Sequence, residues 1–85
     1  MNMTEQSAIV QKNLDAIKSI CEALKSPQMM GMHLSNAINS LLDQDEKLDT
    51  TGAFSQDIAD GRAAVAARDP QAGIEAAESA EAKLV

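Results

Sequence analysis

The chain has 85 residues, a formal net charge of -6 and a single cysteine. That bounds it to one small domain, residues 1–85, with no disulfide framework. With one Phe, no Tyr or Trp, and thirteen acidic against seven basic residues, it lacks the basic, ring-bearing surface that nucleic acid requires. No apolar run approaches the length of a bilayer span, and no basic-then-apolar start resembles a signal peptide. The expectation is a cytoplasmic protein with no membrane and no nucleic-acid partner.

The first predicted helix starts at Thr4, a good N-cap, with Glu5 in the first turn where the helix dipole favours negative charge. Val10, Leu14, Ile17, Cys21 and Leu24 recur at spacings that put them on one helical stripe. Ile9, Ala16, Ile20 and Ala23 widen that stripe on one side, giving an arc of roughly half the circumference. An arc that wide calls for two neighbours. Asn13 lies within it and needs partners, or it costs about 1–3 kcal/mol.

Ser26-Pro27 ends this helix and opens the next, because Ser is a preferred N-cap and Pro is tolerated at the first helical position. The second helix is expected over 27–47, with Met30, Leu34, Ala37, Ile38, Leu41, Leu42 and Leu48 as its inner stripe. A direct turn at Ser26-Pro27 makes an antiparallel pair. Reflection about that turn sets Asn13 opposite Ser40 and Cys21 close to His33. Gly31 is read as the mark of a close helix contact. Met29, Met30 and Met32 cluster within four residues. Met32 projects onto an otherwise polar face, and methionines recur on adaptable binding surfaces.

Asp49-Thr50-Thr51-Gly52 is a turn, and composition shifts there: residues 1–52 hold four Ala, residues 53–85 eleven. Ser55 is the expected cap of a third helix, whose stripe is Phe54, Ile58, Gly61 and Val65. Asp69-Pro70 repeats the cap-plus-Pro signal and opens a fourth helix reaching Leu84, with Ile74, Ala77, Ala80 and Leu84 inward. The small residues around Asp69-Pro70 resemble a tetratricopeptide-repeat junction over one hairpin, but no repeat period accompanies them. No segment alternates with period two. The predicted fold is therefore all-α: a four-helix domain in which a long antiparallel hairpin, residues 4–48, has a shorter Ala-rich hairpin, residues 54–84, packed across it.

Few residues offer chemistry. Cys21 and His33 are the only reactive pair; without an orienting group, Cys21 reads as a small hydrophobe in the stripe. Too few N and S donors are present for a zinc site. The run Asp43-Gln44-Asp45-Glu46-Lys47-Leu48-Asp49 fails as a calcium loop, since Leu48 stands where Gly is needed and Phe54 where Glu is needed. Gly31-Met32-His33-Leu34-Ser35-Asn36 departs from the carrier-protein serine motif, because Leu34 separates His33 from Ser35 and no Leu follows Ser35. No catalytic residue, metal or cofactor is expected. Negative charge at the end of a helix opposes its dipole, so Asp43, Asp45 and Glu46 are read as an acidic face for a basic protein partner.

The expected function is that of a small, acidic, non-enzymatic interaction or regulatory protein, acting as a homo-oligomer or bound to a larger target. Its contact residues are Ile9, Asn13, Ala16, Ile20, Met29, Met32, Asp43, Asp45 and Glu46. The Ala-rich half supplies few large side chains, so a second copy is expected over the flank formed by Ile9, Ala16, Ile20 and Ala23, a dimer being the commonest oligomer. The alternative is a small-ligand binder, for an anion or nucleotide, with Arg62 and Arg68 as its contacts.

Overall fold

The computed structural model describes residues 3–26 and 31–84. Four helices and no strand are found among them: α1 Met3–Leu24, α2 Gly31–Leu48, α3 Ser55–Ala67 and α4 Pro70–Glu81. They form an elongated bundle of 40 × 19 × 19 Å. Packing runs round a ring, α1 on α2, α2 on α3, α3 on α4 and α4 back on α1. The short hairpin lies alongside the long one rather than across it. Lys25 Nζ, just past the end of α1, donates to Gln71 Oε1 at the start of α4, while Lys18 of α1 reaches Glu81 at its end. The two helices are thus antiparallel.

The stripe of α1 is the core. Val10, Leu14, Ile17 and Cys21 are buried, facing Ile38 and Leu42 of α2, Ile58 of α3, and Ile74, Ala77 and Ala80 of α4. The wide arc predicted for α1 is shared between two neighbours within the chain, α2 and α4. Alanine suits this arrangement, because small residues let helices approach closely. Glycine goes further at two positions. A Cβ on Gly61 would stand 3.2 Å from both Leu42 methyl carbons, and one on Gly73 only 2.7 Å from Cys21 Sγ. Gly31 does not mark such an approach, since a Cβ there would meet Leu24 at an ordinary 3.8 Å.

Several helix ends differ from the sequence expectation. α1 begins at Met3, so Thr4 lies inside it. Pro27 as the start of the second helix falls outside the described residues. Ser55 is the first residue of α3 and caps nothing; Phe54 holds the cap position without a side-chain bond. Asp49 does that work from the preceding turn. Its Oδ1 accepts from Ala53 N at 3.0 Å and its Oδ2 from Phe54 N at 2.8 Å. Gly52 completes the turn in the left-handed region, φ 76°, where a side chain is costly. Asp69 is the cap its sequence announces: Oδ1 accepts from Ala72 N at 3.1 Å, with Pro70 following. α4 ends at Glu81, and the chain turns through Lys83 and Leu84, whose amides bond to Ala80 and Glu81.

Candidate functional site

Asn13 establishes the register of α1 against α2. Its Nδ2 donates to Gln44 Oε1 at 2.7 Å and to Asp45 Oδ1 at 2.8 Å. The predicted partner, Ser40, is exposed. The pairing sits about one helical turn beyond the one a hinge at Ser26-Pro27 gives. The same shift separates Cys21 from His33. Cys21 is buried against Gly73 and shares a groove with Asn36, while His33 is exposed on α2. Burial pushes the Cys21 thiol up, which keeps it protonated and unreactive.

The acidic run is used inside the molecule. Asp43 and Glu46 are exposed and both face Arg62 of α3, at 2.8 and 3.6 Å. Arg62 therefore clamps α3 to α2. Asp45 does not belong to an exposed acidic face at all. It is 1% exposed, among the most buried side chains of the bundle. Its position follows from the stripe: Ile38, Leu42 and Asp45 are spaced by four and three residues, so the core face of α2 runs through the carboxylate. Burial raises its pKa to about 6, although the hydrogen bond from Asn13 works in the other direction. A second buried acid, Asp57 of α3, is held by Lys83 Nζ at 2.7 Å. On the α1–α4 seam, Glu81 takes Lys18 at 2.6 Å on one oxygen and Gln11 Nε2 at 2.9 Å on the other. Spacing marks Asp45 and Asp57 as inward positions, but reading charged residues as solvated hides both.

Of the flank predicted for a second copy, Ala16, Ile20 and Ala23 are partly buried, and Ile20 packs on the core; Ile9 stands 37% exposed. Met29 lies outside the described residues. Met32 is 76% exposed. It sits at the edge of a groove of about 650 Å³ at the end of the bundle where α1 stops and α4 starts. Ile17, Leu24 and Val65 give the groove apolar lining; Asn36, Asn39 and Arg68 give it polar edges. Arg68, the residue that caps α3, is in the left-handed region at φ 56°. That conformation costs a non-glycine residue about 1–2 kcal/mol. Its amide satisfies the last carbonyls of α3, bonding to Ala64 O and Val65 O.

Among the described residues no group of three or more His, Cys, Asp or Glu is arranged to hold a metal ion. No helix among them is long and apolar enough to cross a membrane. Comparison with known proteins adds no relative: no family model, no curated protein and no solved structure matches the chain.

Proposed function

We propose that this chain is a small, acidic, non-enzymatic interaction protein, and that it binds a protein partner through the groove beside Met32. The observation that supports this reading is a methionine left 76% exposed at the edge of a groove with an apolar floor. A thioether on a flexible stem adapts to varied surfaces, and grooves of this size take side chains or small ligands. A net charge of -6 favours a basic partner by long-range attraction. In a cytoplasmic setting the protein would regulate its target by occupying a surface of it, either alone or as a dimer. Ile9, at the other end of α1, is the residue left for contact between copies.

Affinity capture with the immobilised chain, paired with light scattering, tests the proposal. A partner retained by the wild type and by Ile9→Asp, but released by Met32→Asp, is the expected result. An unchanged partner set with Met32→Asp contradicts it. A mass that falls from dimer to monomer with Ile9→Asp identifies the contact between copies.

A second reading places an anion or nucleotide in the same groove. It is favoured by Arg68, which lines the groove in a conformation that glycine holds more cheaply. A nucleotide that raises the melting temperature of the wild type and not of Arg68→Gly would select this reading.

A further inference from the structure

The centre of the bundle holds a carboxyl group that no cation among the described residues balances. Asp45 Oδ1 accepts from Asn13 Nδ2 at 2.8 Å, and Oδ2 has no partner among the described residues. Each neighbouring element leaves the charge uncompensated. α1 offers the neutral amide of Asn13, among Val10 and Leu14. On α2 itself, Gln44 is bonded to Asn13, and Asp43 and Glu46 turn outward to Arg62. Asp49, one turn on, is bonded to the amides of Ala53 and Phe54. α3 brings a second buried acid, Asp57, to the same small void. α4 brings Ala76, Ala77 and Ala80, and the Lys83 that follows it is committed to Asp57. The Glu81–Lys18–Gln11 cluster is closed on itself along the α1–α4 seam.

The void is about 10 Å³, room for at most one water. An ionised carboxylate there has neither a cation nor space for a hydration shell. We propose that Asp45 is a proton-linked device within the bundle: the packed fold takes its carboxyl in the neutral form, and ionisation works against the packing. The sign follows from linkage. The unfolded chain loses this proton near the ordinary 3.8, the folded chain at about 6. The contribution of Asp45 to stability is therefore full below the lower value and falls as pH rises between the two, the reverse of the usual ion-paired aspartate.

Urea unfolding of the whole chain at pH 5 and pH 7.5 tests this, with Asp45→Asn as the comparison. The wild type is expected to lose about tenfold in its folded-to-unfolded ratio over that interval. Asp45→Asn keeps every other titratable group and is expected to lose the slope. A wild-type ratio that is constant or rises with pH overturns the proposal, as does an equal slope in both proteins. Should Asp45→Asn not fold, the carboxyl carbon of Asp45 is titrated by NMR in the wild type. A midpoint near 6 upholds the proposal and one near 3.8 overturns it.

Discussion

Replacing Gly73 with alanine probes the closest approach in the bundle. The new Cβ would lie 2.7 Å from Cys21 Sγ, whereas unbonded heavy atoms settle at about 3.5–4.0 Å. Roughly 1 Å must be recovered by moving α4 away from α1 or by turning a thiol that is only 2% exposed. Overpacking of this kind costs about 1–3 kcal/mol. Alanine's better helix propensity returns up to about 1 kcal/mol. A net loss of about 1–2 kcal/mol follows, or roughly 5–15 °C in melting temperature for a domain of this size. Cys21→Ala alone removes the sulfur, opens a small cavity, and should cost about 1 kcal/mol. Together the two changes relieve each other, because the alanine methyl enters the space the sulfur leaves. Urea denaturation followed by circular dichroism on all four proteins gives the coupling energy. A coupling of about 1 kcal/mol or more in favour of the double variant is expected. Gly73→Ala as stable as the wild type, with coupling near zero, would refute the close contact.

Other expected outcomes follow from single bonds. Asp69→Ala removes the side-chain acceptor of Ala72 N and should lower stability by about 1 kcal/mol in urea melts. Asn13→Ala leaves Asp45 Oδ1 without its donor and should cost about 1–3 kcal/mol at neutral pH. At Glu81, burial opposes the ionised form, but the hydrogen bonds from Lys18 and Gln11 and the charge of Lys18 outweigh it and hold the pKa below the usual glutamate value of 4.5. Its stabilisation is full above that value and is lost as pH falls through the lowered one. Glu81→Gln should therefore flatten the acid limb of the pH–stability curve below pH 4.5, and an unchanged limb would contradict the Lys18 pairing.

Apolar periodicity carried most of the fold. The stripe from Val10 to Cys21 is the buried face of α1, and Ile74, Ala77 and Ala80 are buried as their spacing implies. The Asp49–Gly52 turn and the Asp69-Pro70 opening were also legible, because turn and cap preferences are local. Register was not local. It depends on where α1 and α2 meet, and Asn13 chose Gln44 and Asp45 over Ser40. The buried acids escaped for another reason. Charge is a strong prior for exposure, and it overrode a spacing that already placed Asp45 in line with Ile38 and Leu42. For the candidate site, the exposure of Met32 was readable from its helical face. The groove beside it was not, since it arises where three segments distant in sequence converge.

Hydrogen exchange with and without the retained partner reports whether the groove beside Met32 is the contact surface. Slowed exchange is expected over residues 31–39 and 65–73, which line the groove, with residues 43–46 unchanged. Protection confined to residues 43–46 or to the turn of α1 around Ile9, with the groove segments exchanging as in the free chain, would contradict that assignment.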